Sequence, residues 1–199
     1  GRDKAQGLPM SMQTFTFEPI ELPPAAEALR DEVRAFLKHE LADAPPRSDT
    51  WSAVDPDFSR KMGRRGWIGM TWPKQYGGHE RTALERYVLL EELLAAGAPV
   101  SAHWVADRQS GPLLLRFGSE EQRKFFLPKI AAGRQMWSIA LTEPDGGTDV
   151  FGAMKTRAEK VDGGWVVNGT KIWSTLAHVS DRLFLVARTR RDVQRAHHG

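Results

Sequence analysis

The sequence predicts an α+β chain: an all-helical amino-terminal domain followed by an antiparallel β domain. Three observations predict it. Apolar residues recur at helical spacing up to about Gly133 and at alternate positions after it. Two S/T-x-x-E/Q boxes open helices in the first part, while Asp162-Gly163-Gly164 and Asn168-Gly169 mark hairpins in the second. The composition, 41% hydrophobic and 27% charged over 199 residues, is that of an ordinary globular chain and rules out fibrous or low-complexity classes.

Taken in order, Pro24 sits where a first-turn proline belongs, and the helix over 25–41 places Leu29, Val33, Phe36 and Leu37 on one face. Asp55-Pro56 opens a short helix through Met62, with Asp55 as its N-cap. Thr82 and Glu85 form a capping box ahead of Leu84, Tyr87, Val88 and Leu94, and Gly97 and Pro99 stop that helix. A further helix spans 101–117, interrupted or kinked at Gly111-Pro112. Ser119 and Gln122 make the second box, leading into Phe125, Phe126 and Ile130, with Gly133 at the exit. Strands follow at 137–141, 153–161 and 165–168, with a turn at 162–164. Asn168-Gly169 then predicts a type I′ hairpin joining 165–167 to 171–173, and a last strand covers 182–189. Local hairpins imply antiparallel pairing. Residues 1–24 read as an amino-terminal extension, partly of cloning origin, with a natural start near Met10 or Met12. The helical domain covers 25–134 and the β domain 135–199. About five strands are too few to close a barrel or build a sandwich, so the β domain is expected to be incomplete.

Several function classes fall away on composition. With no cysteine there is no disulfide scaffold, thiolate metal site or cysteine nucleophile. The histidines do not cluster at ligand spacing; His197 and His198 are adjacent in a terminal segment and read as solvated, so no metal is expected. The net charge is only +3. Arg188, Arg190, Arg191 and Arg195 either contact phosphate or form a solvated loop, and no nucleic-acid motif is present. No apolar run reaches the roughly 20 residues of a membrane span, and residues 1–11 lack a signal-peptide stretch. A cytoplasmic location is expected.

The chemistry-bearing segment runs from Leu141 to Thr175. Gly146 and Gly147, flanked by hydroxyls, let the backbone approach a flat or phosphorylated ligand, or form an ordinary loop. Trp173 at a strand end is either packing or the wall of a ligand site. Glu143, restrained by Pro144, reads as a capping or salt-bridge residue rather than a base. Residues 100–110, including His103 and Trp104, wall an acyl pocket or belong to core and surface.

In order and spacing these segments resemble the acyl-CoA dehydrogenase family, over residues 31–190. Thr142-Glu143-Pro144-Asp145-Gly146-Gly147-Thr148-Asp149 is similar to its T-E-P-x-A-G-S-D loop. Asn168-Gly169-Thr170-Lys171-Ile172-Trp173-Ser174-Thr175 is similar to its N-G-x-K-x-W-[IST]-[ST] segment. Trp72-Pro73-Lys74-Gln75-Tyr76-Gly77-Gly78 looks like the W-P-x-x-Y-G-G of bacterial members, and Gly118 to Arg123 resembles a G-[ST]-x-x-Q-[KR] helix start. Gly146 for the usual alanine and Thr148 for the usual serine are departures; Thr148 keeps the hydroxyl.

The resemblance implies a helical domain, a central β domain and a carboxy-terminal helical domain absent from this chain. It implies FAD as cofactor, bound by Ile139, Leu141, Thr142, Gly147, Thr148, Trp173, Ser174 and Thr175. Thr142 is placed near the flavin pyrimidine edge, Trp173 against the ring, Thr175 near N5, and Thr148 at the CoA moiety. The implied reaction is dehydrogenation of an acyl-CoA to the 2-enoyl-CoA, in fatty-acid or steroid side-chain β-oxidation, with hydride passing to N5. No catalytic residue is assigned here, because the family's base is a glutamate of the missing domain. The implied partners are an acyl-CoA substrate, an electron-transfer flavoprotein as electron acceptor, and further subunits in a homo- or hetero-oligomer, dimeric or tetrameric. Alternatives are a non-catalytic partner subunit of a heteromeric dehydrogenase, or an acyl-CoA oxidase or flavin monooxygenase on the same scaffold.

Overall fold

Pro23 is extended and Pro24 begins α1 (Pro24–Glu40), where the missing N–H falls among donors that have no intrahelical partner. This is a computed structural model describing residues 21–42 and 52–190. The expectations for residues 1–20, for Arg191 and Arg195, and for the His197-His198 pair lie outside the described residues. The inner face of α1 is Ala26, Leu29, Val33, Phe36 and Leu37, all buried. Asp55 caps α2 (Pro56–Arg64), its carboxylate accepting from Phe58 N at 2.9 Å.

Both halves of the Thr82–Glu85 box form at α3 (Ala83–Ala95): Glu85 N donates to Thr82 Oγ1 at 3.2 Å and Thr82 N to Glu85 Oε2 at 2.8 Å. The buried stripe of α3 differs from the apolar series in the sequence. Val88, Leu89 and Leu93 face the core with Glu92, whereas Leu84, Tyr87 and Leu94 are exposed. Glu92 turns inward because Arg30 and Arg34 of α1 meet it at 2.5 and 2.8 Å, and a paired carboxylate can occupy a position that hydrophobic periodicity assigns elsewhere.

The helix at 101–117 is continuous but not uniform. α4 (Ser101–Val105) passes through one π turn, Ala106–Ser110, into α5 (Gly111–Phe117). The expected interruption at Gly111-Pro112 takes this form. Gly111 N donates five residues back to Ala106 O, and the wider turn accommodates a proline that has no N–H to give. The indole of Trp72 locks this helix to the loop before it: a Cβ on Gly69 would lie 2.5 Å from the ring, and one on Gly111 only 2.2 Å. The Ser119–Gln122 box opens α6 (Glu120–Ala131), which exits at Gly133 in the left-handed region (φ 65°).

The β domain needs correction in its pairing. β1 (Trp137–Ala140) pairs in parallel with β4 (Arg182–Leu185), while β2 (Arg157–Val161) and β3 (Gly164–Asn168) form an antiparallel hairpin around Gly163 (φ 81°). The α+β class stands, but among the described strands antiparallel pairing holds only for that hairpin. β2 starts late because Val150–Ala153 forms a helical turn, α7, capped by Asp149. β4 ends at Leu185, after which Arg188 forms a parallel bridge to Arg157 and so joins the two sheets. The Asn168-Gly169 hairpin does not form. Asn168 keeps a negative φ, Gly169 is nearly extended (157°), and residues 169–173 are not a strand. Gly169 is needed for a different reason: a Cβ there would lie 2.3 Å from Thr156 Oγ1.

Trp137 joins the domains. Its side chain enters the helical core cluster and meets Phe126 edge to face at 5.2 Å. His103 belongs to the core rather than to a pocket wall: it is buried and its Nδ1 pairs with Ser59 Oγ at 2.8 Å. Burial lowers its pKa from 6.5 to about 4. The unfolded chain therefore binds the extra proton between those values. The His103 contribution is full above pH 6.5 and disappears as pH falls through about 4. Denaturant titrations should show a loss approaching about 3 kcal/mol across that window, which His103→Gln flattens. A profile unchanged by the substitution would contradict a buried neutral ring.

Candidate functional site

β1 carries the half-buried Ile139, and the chain then folds back in a tight turn. Glu143 N donates to Gly146 O, and Gly146 N to Glu143 O, both at 3.1 Å. Within this turn the Glu143 side chain is directed inward and is only 5% exposed. Its Oε1 accepts from Lys171 Nζ and from Thr156 N, each at 2.9 Å, and its Oε2 from Lys155 N at 2.6 Å. Lys171 Nζ also donates to Leu141 O at 2.9 Å. Two more bonds tie the same segments together: Ile172 N to Thr142 O at 2.9 Å and Ser138 Oγ to Thr175 O at 2.7 Å. Residues 171–175 are thus held beside 138–143 without a strand ladder.

Burial pushes the Glu143 carboxyl up, but contacts from Thr156, Lys171 Nζ and the amides of Lys155 and Thr156 outweigh it and hold its pKa at about 2. Glu143 is ionised and accepts three hydrogen bonds, one of them from the Lys171 ammonium. That is the salt-bridge role.

A cleft of about 230 Å³ opens between these segments. Ile139, Leu141 and Thr142 form one wall and Ile172, Trp173 and Thr175 the other; Val105 and Gln109 close it from the helical domain. None of the cleft-lining residues carries a charge. Trp173 adopts φ 57°, a left-handed conformation rare for an aromatic residue, and its side chain stands 84% exposed. An apolar floor, two hydroxyls, one amide and a solvent-facing indole suit one face of a flat, uncharged heteroaromatic ring with polar edges.

Of the residues named for the cofactor, the structure brings five together here: Ile139, Leu141, Thr142, Trp173 and Thr175. Gly147 lies beside Thr142, with an added Cβ 3.9 Å from its methyl group, on the exposed loop outside the cleft. Thr148, named also for the substrate, is exposed on the same loop and does not line the cleft. Ser174 is half-buried, and its carbonyl accepts from Ala177 N at 3.1 Å. Val105 and Gln109 were not singled out from the sequence. They fall within the 100–110 stretch, four residues apart and so on one face of the helix. Trp104 instead lies under the Arg108 guanidinium at 4.8 Å. Among the described residues there is no acidic, His or Cys cluster fit for a metal, and no helix long and apolar enough to cross a membrane.

Residues 23–134 match the family model described as acyl-CoA dehydrogenase, N-terminal domain, and residues 138–199 match the acyl-CoA dehydrogenase middle domain. The chain is 35% identical over 179 residues to the acyl-CoA dehydrogenase FadE26 of Mycobacterium tuberculosis, covering 85% of this chain and 44% of that protein. It superposes on the Tcur3481-Tcur3483 steroid ACAD with a TM-score of 0.79 and 35% identity, covering 90% of this chain and 47% of the other. A glutaryl-CoA dehydrogenase from Mycobacterium smegmatis in complex with FADH2 is 27% identical, with a TM-score of 0.68 over 84% of this chain and 43% of that one. The chain therefore spans about half the length of the relatives it matches.

Glu143→Gln should leave the Lys171 ammonium buried without a counter-charge, costing about 3–5 kcal/mol in chemical denaturation. Adding Lys171→Met should recover part of the loss, because the orphaned charge goes too. In the wild type the Glu143 contribution is full above pH 4.5 and is lost as pH falls through about 2. Wild-type stability in the single variant would refute the clamp.

Proposed function

The chain belongs to the acyl-CoA dehydrogenase family, and from that premise we propose that its cleft holds one face of FAD in a protein that converts an acyl-CoA to the 2-enoyl-CoA. The observation that carries this reading is the uncharged cleft walled by Thr142, Thr175 and the exposed Trp173. When bound, FAD supplies the hydride acceptor. The chain's own residues hold and shield. Ile139, Leu141 and Ile172 keep water from the ring face, the Trp173 indole covers it, and the Thr142 and Thr175 hydroxyls meet its polar edge. Gly147 and Thr148, on the loop beside Thr142, are where the CoA portion of the substrate passes. No carboxylate lines the cleft, so removal of the α-proton is assigned to a glutamate of the carboxy-terminal helical domain that the resemblance implies.

The acyl group we propose is of steroid side-chain type, on the likeness to the steroid ACAD, with an electron-transfer flavoprotein as electron acceptor. The same likeness favours a second reading. That structure carries a paired name, Tcur3481-Tcur3483, and this chain is then one member of a heteromeric dehydrogenase, contributing a flavin wall while its partner supplies the base.

The test is anaerobic mixing of the whole protein, purified with whatever subunit accompanies it, with steroid-side-chain and straight-chain acyl-CoA. Bleaching of the oxidised flavin band is expected, fastest with the steroid thioester, followed by slow reoxidation in air. A protein without bound flavin, or a flavin that no acyl-CoA reduces, would sink the proposal; rapid reoxidation would mark an oxidase. One FAD per two unlike subunits would establish the second reading. Thr175→Val should lower the rate of bleaching about tenfold or more, as loss of one preorganised donor does.

A further inference from the structure

Asp107 is a buried acidic residue absent from the cleft, yet it lies two residues from Gln109, which is in it. It stands on the π turn, where its Oδ1 accepts from Gly69 N at 2.6 Å and its Oδ2 meets Arg86 Nη2 of α3 at 3.3 Å. One carboxylate thus ties the irregular turn to α3 and to the loop before Trp72. The indole of Trp72 in turn packs against Gly69 and Gly111 at distances no Cβ would permit.

The turn itself needs explaining. An i→i+5 register is rare and gives poorer bonding than a regular α-helix. This one also leaves Ser110 Oγ fully buried with no hydrogen-bond partner, a cost that an isolated sequence preference does not offset. Val105 and Gln109, four residues apart on either side of Asp107, share one helical face, and both line the cleft.

We propose that Asp107 is a positioning residue: by anchoring the π turn to Gly69 and Arg86 it sets Gln109 in the cleft and so tunes what the cleft binds. The inference rests on the reading of the cleft given above, but its anchor can be tested apart from it. Asp107 touches neither cofactor nor substrate and acts through Gln109.

Two measurements on the whole protein test it. Hydrogen exchange of the amides at 106–111 reads the turn whatever the cleft holds. Asp107→Ala should raise their exchange about tenfold or more, the factor carried by a lost charge-assisted hydrogen bond, with little change in α6. Asp107→Asn, which keeps an acceptor for Gly69 N, should fall between Ala and wild type; it also serves if the alanine variant does not fold. Unchanged protection in the variants overturns the anchor. The second measurement is a double-mutant cycle on KM for the acyl-CoA. Asp107→Ala and Gln109→Ala should each raise KM several-fold with a smaller change in kcat, and the double variant should resemble Gln109→Ala alone. Multiplicative effects, or a fall in melting temperature with KM untouched, overturn the action through Gln109. If the wild type reduces no flavin at all, the functional reading fails and the exchange data still decide the anchor.

Discussion

Glu143 accepts from the Lys171 ammonium and from the amides of Lys155 and Thr156, so one carboxylate gathers three stretches of chain that no strand ladder connects. The arrangement satisfies two requirements together. A carboxylate 5% exposed needs its lone pairs filled, and the start of β2 and the segment after β3 need a fixed distance from the end of β1. Lys171 adds a second tie through Leu141 O, and the Thr142–Ile172 and Ser138–Thr175 bonds complete the seam. Both walls of the cleft hang from this seam. Loosening it would separate Thr142 from Thr175 without touching either.

The helical domain supplies the remaining side. Trp137 docks β1 into the helical core, and Val105 and Gln109, on one face of the helix that carries the π turn, reach the same opening. Two buried carboxylates therefore do comparable work on opposite sides of the cleft. Glu143 holds the β-domain walls together, and Asp107 holds the helical one to its neighbours. Each is paired with a base and also accepts backbone N–H, the combination that makes a buried charge tolerable. In both cases an apolar substitute could fill the space but would not fix direction.

What the sequence disclosed and what it concealed follow a physical division. Features written in local spacing were legible: the inner face of α1, the Asp55 cap, both capping boxes and the Gly163 turn. So was the structural role of Glu143, since the following proline limits its backbone. Features set by distant partners were not. Asn168-Gly169 has a strong local preference for a hairpin, but Lys171 and Ile172 are drawn to residues 141–143 instead of back along β3, and the tertiary pull wins. The parallel pairing of β1 with β4 leaves no local signature either. The inward turn of Glu92 depends on two arginines of another helix. For the site, five of the eight residues named for a cofactor lie in one cleft; Val105 and Gln109 stayed hidden because nothing in local spacing says which face of the 101–117 helix meets the β domain.

The central claim is that the Glu143–Lys171 seam builds a flavin wall, and FAD affinity tests it most directly. Flavin would be titrated into the apo form of the whole protein, wild type and Glu143→Gln, at a temperature where circular dichroism shows both folded. The account predicts dissociation constants at least about tenfold weaker in the variant, since misplacing both walls removes well over the energy of one hydrogen bond. Equal affinity in a folded Glu143→Gln protein would contradict it, leaving the seam as a stabilising feature unconnected to the cofactor.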